Sequence, residues 1–310
     1  MKLATYQSDT GPRTGAVAGD RIIDLVGALD LSGLAPASLA ATMQSLLAAG
    51  TDGLRTAAAA VEWHQQSGSE TSNFDLTDVR LLAPLPNPGK LMCLAGNYAD
   101  HILEGGGVFP GKDKMTPHFF MKPSTAVIGP GAAIRIPPST KFADWELELA
   151  VVVGRAGRGF SVEEAQSAIV GYTIFNDISA RELSFRDNLP MQEGDGFFDW
   201  LVGKWLDTFG PMGPWITTAD EITDPSALTM QLFLNDELQQ DASTGQMIFS
   251  PAEALAFITQ FVTVEPGDMI SMGTPAGVGH SKKLRLQPGD RIRGEIAELG
   301  TLSNPVEALS

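Results

Sequence analysis

The chain has 310 residues, 43% of them hydrophobic, enough for one large domain or a catalytic domain with a smaller appendage, and that apolar content excludes global disorder. Its 37 acidic and 21 basic residues give a formal charge of −16, which repels phosphate backbones and excludes a nucleic-acid-binding role. The single cysteine, Cys93, makes neither an internal disulfide nor a cysteine-based metal site, and no run approaches the ~18 apolar residues of a membrane span.

The opening MKLATYQSDT lacks the apolar stretch of a signal peptide, so the expected location is the cytoplasm. Residues 2–7 and 15–24 read as short strands about a Gly-Asp turn. Ala- and Leu-rich stretches predict helices over 37–49, stopped by Gly50, and over 51–66. The polar segment 67–78 reads as a loop and the Pro-rich segment 80–90 as extended chain. A boundary near residue 85 would separate an α+β module, 1–85, from a main domain, 86–310. Strands are expected at 91–96, 118–122, 133–137, 146–154, 169–177, 228–236, 268–273 and 290–300, between Gly/Pro turns. Helices are expected at 161–169, where Ser161 and Glu164 form a capping box, and at 250–261, opened by Ser250 and Pro251. The main domain is therefore α+β and dominated by strands.

Within 146–154, Glu146 and Glu148 fall on one face of a strand, with Leu147 and Leu149 opposite. Two readings stand for such a pair: ordinary glutamates on a solvated sheet edge, or carboxylates that share a cation. Asp177 closes the apolar strand GYTIFN, either as a turn cap or as a third ligand. Together the three make an all-oxygen set suited to Mg²⁺, Mn²⁺ or Ca²⁺. His101 and Glu104 are three apart, hence neighbours on a helical face, as a surface pair or as a base with its orienting carboxylate. Gly105–Gly107 then supply a hinge suited to a lid.

Lys122, Arg181 and Lys204 stand out in an acidic chain, as anchors for a substrate carboxylate or as surface side chains with buried stems. Cys93 reads as a small buried apolar residue. The run from Gly273 to Gly279 is neither a P-loop nor a dinucleotide fingerprint. It is either a plain turn or a tight loop whose N–H groups and Thr274 hydroxyl approach an anion.

Six segments in this order resemble the fumarylacetoacetate hydrolase family: GNYADHILE (96–104), FFMKP (119–123), DWELELAVVVG (144–154), GYTIFNDISARE (171–182), GKWLDTFGPMGPW (203–215) and GDMISMGTPAGVG (267–279). The resemblance implies a mixed β-roll catalytic domain, a small N-terminal module and homodimers. It implies a divalent metal, commonly Mg²⁺, at Glu146, Glu148 and Asp177, and a lid pair, His101 and Glu104, that activates water. It places Lys122, Arg181, Lys204 and Thr274 around substrate or metal. The substrate class is a diketo or 2-oxo acid that passes through an enolate stabilised by the metal, with Lys204 compensating its charge.

The expected reaction is hydrolysis of a C–C bond in an acylpyruvate such as fumarylpyruvate, a product of aromatic ring cleavage. Decarboxylation or isomerisation, of oxaloacetate or a hydroxy-hepta-diene-dioate, is the neighbouring reading, and a non-catalytic binding protein is the third. Two features depart from the family pattern. Ser184 replaces a glutamine frequent seven residues after the metal aspartate, and the segment 183–202 is long and carries Gln192, Glu193 and Asp195.

Overall fold

The strand Leu147–Val153, every residue of which is buried, lies at the centre of the fold. The computed structural model describes residues 1–69 and 71–309; residues 70 and 310, in the expected loop 67–78 and at the end of the expected catalytic domain, lie outside them. Side chains alternate along a strand. Leu147, Leu149, Val151 and Val153 enter the larger core with Trp145, Ile174 and Met272. Ala150 and Val152 face a second core that includes Leu46, Leu47, Leu91, Cys93 and Phe120. Glu148 shares the face of Ala150 and Val152, so this face is apolar along its length and acidic where the strand begins.

Among the described residues the strands form sheets of twelve, five and two strands. The largest runs, in spatial order, through Asn73–Asp75, Arg21–Asp24, Gly11–Ala18, Lys2–Ser8, Gly210–Thr218, Ile169–Asn176, Leu147–Val153, Met269–Ser271, Leu91–Ala95 and His118–Lys122. Along that path Met269–Ser271 and Leu91–Ala95 pair in parallel and the other neighbours are antiparallel. Lys2–Ser8 pairs with Gly210–Thr218, which extends the acid-bearing sheet into the N-terminal strands. The five-stranded sheet contributes Met230, Leu232, Ile292, Ile296 and Leu302 to the larger core, so the two sheets pack face to face. Thr140–Asp144 and Ser179–Leu183 make the two-stranded sheet beside the entrance to Leu147–Val153. The result is the strand-dominated mixed fold expected.

Several boundaries differ from the sequence reading. The helix expected over 37–49 is a 3₁₀ turn, Ala37–Ala40, and a separate helix, Met43–Ala48. Thr42 is extended and forms a capping box with Ser45, which stops one element and starts the next. A further helix, Leu25–Ser32, begins at Asp24 and ends at left-handed Gly33. The expected strand 290–300 is the end of a hairpin, Arg291–Ile296 with Gly300–Ala308. Gly210–Thr218 is a central strand although it carries two prolines, because its pairing with Ile169–Asn176 shifts register between Tyr172 and Ile174. The long segment 183–202 is largely ordered: a 3₁₀ turn, Ser184–Arg186, is followed by a helix, Asp195–Lys204. Both capping-box and proline-opened helices form, as Val162–Ala168 and Pro251–Ile258.

Candidate active site

The site lies where strand ends meet. Thr140–Asp144 bends through Trp145 and Glu146 into Leu147–Val153, and its neighbour Ile169–Asn176 ends immediately before Asp177. The Asp177 N–H donates to the Glu146 carbonyl at 2.8 Å, and the Glu146 N–H donates to Asn176 Oδ1 at 3.0 Å. These two bonds fix the strand ends side by side. One carboxylate oxygen from each of Glu146, Glu148 and Asp177 lies within 4.8 Å of the others, and all three residues are buried. The pair expected to share a strand face and the aspartate expected to close the next strand do come together.

Three buried carboxylates this close repel one another and lose hydration. The chain compensates with three cations. Lys204 Nζ donates to Glu146 Oε2 at 2.6 Å and to Asp177 Oδ2 at 2.7 Å. Lys122 Nζ donates to Asp177 Oδ1 at 2.6 Å and to the Ile178 carbonyl at 3.1 Å. Arg181 donates through Nε to Asp144 at 2.9 Å and through a second nitrogen to Glu146. Both lysines are buried, so neither is a surface side chain.

Burial opposes ionisation of Glu146, but Lys204 and Arg181 outweigh it and hold this carboxyl far below the usual range. Glu148 is the reverse case: burial, reinforced by the charges of Asp177 and Glu146, pushes it well up. Ser271 Oγ at 2.5 Å and the Gly273 N–H at 2.8 Å donate to one Glu148 oxygen. Burial works against the Lys204 ammonium, yet Asp177 and Glu146 raise it above its ordinary value.

Lys204 ends the helix Asp195–Lys204, and Gly203 brings that helix against the strand Ser179–Leu183. A Cβ at position 203 would lie 2.1 Å from the Ala180 carbonyl oxygen. The ammonium also stands 5.3 Å from the Phe120 ring centre and 5.8 Å from that of Trp200.

His101 and Glu104 lie on the short helix Ala99–Glu104, with His101 Nδ1 and Glu104 Oε1 2.9 Å apart. The other Glu104 oxygen accepts from the Gly277 N–H and the Ser281 hydroxyl, each at 2.9 Å. Burial raises the Glu104 pKa, but these bonds and His101 together bring it below the usual carboxylate value. The helix Ala99–Glu104 is thereby joined to the glycine loop. Thr274 in that loop donates to the Leu147 carbonyl at 2.9 Å and accepts from Gln240 at the same distance.

A cavity of about 310 Å³ gathers these groups. Glu146, Glu148, Arg181, Lys204, His101, Glu104 and Thr274, with His280 and Ser281, form its polar wall; Leu94, Ile102, Phe120, Trp200 and Val278 line its apolar wall. Asp177 and Lys122 do not figure among the lining residues; each Asp177 oxygen is taken by a lysine. Ser184 is likewise away from the lining, its N–H bonded to the Ser139 carbonyl.

The donor set fits a divalent cation. It is all oxygen and buried, and it contains one carboxyl, Glu148, whose ionisation is opposed by burial and by the charges of Asp177 and Glu146 and would be favoured by an added cation.

Asp144 was not singled out, although it extends the alternation of Glu146 and Glu148 by one step and would have been legible as a third acid on that face. Trp200 lies in the long segment 183–202, for which no element is expected from the sequence. Gln240, which accepts the Leu147 N–H at 3.1 Å and donates to Thr274, comes from a strand that carried no signal of its own.

Residues 90–307 match the family profile described as Fumarylacetoacetate (FAA) hydrolase C-terminal. The oxaloacetate tautomerase fahd2 of Xenopus laevis, named as mitochondrial, is 37% identical over 308 residues, covering 99% of this chain and 90% of the relative. The maleylpyruvate hydrolase of Sphingobium sp. SYK-6, solved in complex with manganese(II) and pyruvate, aligns with a TM-score of 0.75 at 31% identity over 100% of both chains. The 2-hydroxyhepta-2,4-diene-1,7-dioate isomerase of Mycobacterium marinum aligns with a TM-score of 0.71 at 29% identity, covering 99% of this chain and 98% of that one. No helix among the described residues is long and apolar enough to cross a membrane.

Proposed function

Because the chain belongs to the fumarylacetoacetate hydrolase family, we propose that it is a divalent-cation-dependent enzyme that enolises a small 2-oxo diacid, with keto–enol tautomerisation of an oxaloacetate-like substrate as the overall reaction. The observation that carries this reading is the opening of the His101–Glu104 pair onto the same cavity as the acidic cluster. The similarity over 99% of the chain to a protein named as an oxaloacetate tautomerase supports the choice of reaction.

A divalent cation held by Glu146, Glu148 and Asp177, most simply Mg²⁺ or Mn²⁺, would supply Lewis-acid stabilisation of negative charge on the 2-oxo oxygen. Arg181, Lys122 and Lys204 hold the carboxylates in place, and Lys204, on the cavity wall, also offers its ammonium to the substrate carboxylate. Glu104 engages His101 Nδ1 and leaves Nε2 as the nitrogen that exchanges a proton with the substrate. His101 takes the proton from C3 as the C=C bond forms and returns it to the 2-oxo oxygen, which converts keto form to enol. Thr274 and the apolar wall position the chain of the substrate and exclude water.

Hydrolysis of an acylpyruvate is the second reading, favoured by the full-length likeness to a maleylpyruvate hydrolase. Here His101 would deprotonate a water that adds to the distal carbonyl. The C–C bond then breaks with its electron pair moving to the pyruvate portion, which takes up a proton. A protein that only binds would have no use for the His101–Glu104 pair.

The test mixes the purified protein and Mg²⁺ or Mn²⁺ with enol-enriched oxaloacetate and follows the decay of enol absorbance. Decay faster than in buffer, abolished by EDTA, is the expected result. Pyruvate release from maleylpyruvate or fumarylpyruvate with no effect on oxaloacetate would favour hydrolysis. Inactivity on both would overturn the enzymatic reading. A homodimer is the assembly proposed from the family resemblance, with exposed Leu189, Met191, Phe197 and Phe198 as apolar surface available to it; light scattering at the mass of one chain would refute it.

A further inference from the structure

His280 lies on the wall of the same cavity as Glu146, Glu148, His101 and Lys204, in the short helix Gly279–Lys282 that follows the glycine loop. Its position is held from two sides. The His280 N–H donates to Asp144 Oδ2 at 3.1 Å, and the Gly279 N–H donates to Asp144 Oδ1 at 2.6 Å. The imidazole ring packs edge-on against Phe142, with centres 5.6 Å apart and planes at 77°. Gly279 permits this approach, because a Cβ there would meet the Leu284 carbonyl oxygen at 2.3 Å and Asp144 Oδ1 at 2.7 Å. The backbone is thus held and the exposed ring rests on Phe142, while the ring nitrogens form no hydrogen bond among the described residues.

The other basic side chains on this wall are already engaged. Lys204 holds Glu146 and Asp177 and, in the proposed function, meets the carboxylate at the oxo-acid end of the substrate, Arg181 holds Asp144 and Glu146, and His101 faces Glu104. A 2-oxo diacid bound with its oxo-acid end at the acidic cluster has a second carboxylate to place. The remaining wall offers it Glu104, which repels it, Thr274, whose hydroxyl proton is already given to the Leu147 carbonyl, or side chains such as Leu94, Phe120, Trp200 and Val278, which cannot replace its lost hydration. The Ser281 hydroxyl is occupied, donating to Glu104 and to the Val278 carbonyl.

We propose that His280 binds the distal carboxylate of the substrate through its imidazole N–H and so selects 2-oxo diacids over 2-oxo monoacids. The assignment rests on the proposed action of this site on 2-oxo acids. It adds a specificity residue to a site whose lysines and arginine serve the acidic cluster.

The experiment measures deuterium exchange at C3 by proton NMR, with Mn²⁺ replaced by diamagnetic Mg²⁺, for oxaloacetate and for the monoacid 2-oxobutanoate. The readout is the ratio of kcat/KM values, diacid over monoacid. In His280→Ala this ratio falls at least tenfold, mainly through a higher KM for oxaloacetate. In His280→Gln, which keeps a donor, it falls less, and in His280→Glu, which adds a negative charge, it falls furthest. A ratio that stays within threefold of wild type in the alanine and glutamate variants overturns the assignment. Exchange of neither compound by the wild-type protein overturns the reading of the site itself, and the assignment with it.

Discussion

Replacing Lys204 by methionine removes the ammonium that two buried carboxylates share while keeping an apolar stem beside Phe120 and Trp200. The ammonium lies 2.6 Å from Glu146 and 2.7 Å from Asp177, in a residue that is 2% exposed. Deleting one partner of a buried ion pair destabilises a protein by about 3–5 kcal/mol, because the remaining buried charge is left uncompensated. Glu146 keeps Arg181 and Asp177 keeps Lys122, so the lower figure, about 3 kcal/mol, applies here. At roughly 2 °C per kcal/mol for a large domain, Tm falls by about 6 °C. A divalent cation at the cluster puts positive charge back beside the same carboxylates, so it stabilises the variant more than the wild type. Thermal unfolding of both proteins, once in EDTA and once in excess Mn²⁺, reads this directly. The expected deficit is about 6 °C in EDTA and less than half of that with the cation, while enolisation slows by about two orders of magnitude. An equal deficit in both conditions would show that lysine and cation do not serve the same carboxylates, and the reasoning would fail.

Gly203→Ala forces the helix that carries Lys204 away from the Ala180 carbonyl, which a new Cβ would approach to 2.1 Å; a destabilisation of about 1–3 kcal/mol and a lower turnover are expected, and an unchanged urea midpoint would contradict the packing argument. Glu148→Ala should abolish divalent-cation binding in calorimetry, and full activity without added metal would sink the proposed cluster. His101→Ala should lower enolisation or hydrolysis by about 10²–10⁴-fold with cation affinity retained; a decarboxylation that survives this change would identify that reaction instead. Asp24 gives the pH dependence. Burial raises its pKa, but Arg13, Tyr6 and the Gly27 N–H hold it below the ordinary carboxylate value. A carboxyl held low in the fold takes up its proton more readily when unfolded, so its contribution is present above about pH 4 and lost as pH falls further. The Tm of Asp24→Asn should therefore fall less than that of the wild type between pH 5 and pH 3, and equal slopes would refute this.

Strand alternation made the shared face of the two glutamates legible, but a solvated edge and a shared cation both fitted that pattern, and only the family resemblance pointed to a metal set completed by Asp177. The lid pair was legible for the parallel reason that residues three apart are neighbours on a helix. Less could be read where tertiary contacts override local pattern. Gly210–Thr218 holds two prolines and two glycines that argue against a strand, and only the register shift opposite Tyr172 admits them. Asp195–Lys204 contains Gly196 and Gly203, which weaken a helix in isolation, yet Gly203 is what allows this one to dock. The roles of Lys122 and Lys204 were open between anchor and surface side chain. Only the meeting of residues 55 and 27 positions apart from Asp177 decides that both are buried ion partners.

The arrangement also explains how an acidic chain can carry such a cluster. Glu146, Glu148, Asp177 and Asp144 are buried together, and without compensation their mutual repulsion would oppose folding before any divalent cation arrived. Lys122, Lys204 and Arg181 pair directly with Asp177, Glu146 and Asp144, while burial pushes up the pKa of Glu148, which has no cationic partner among the described residues, and also that of Asp144. The fold thus carries compensating charge in the absence of a divalent cation, with the deficit left on Glu148 and Asp144. Binding of the cation then requires an ionised Glu148, which burial and the charges of Asp177 and Glu146 oppose, and requires the lysine contacts to loosen. Both requirements temper affinity, and the first makes binding tighter as pH rises. A cluster built this way exchanges its cation rather than trapping it. Chelation should accordingly inactivate the enzyme reversibly without unfolding it, and unfolding on addition of EDTA would show that the three basic side chains do not suffice.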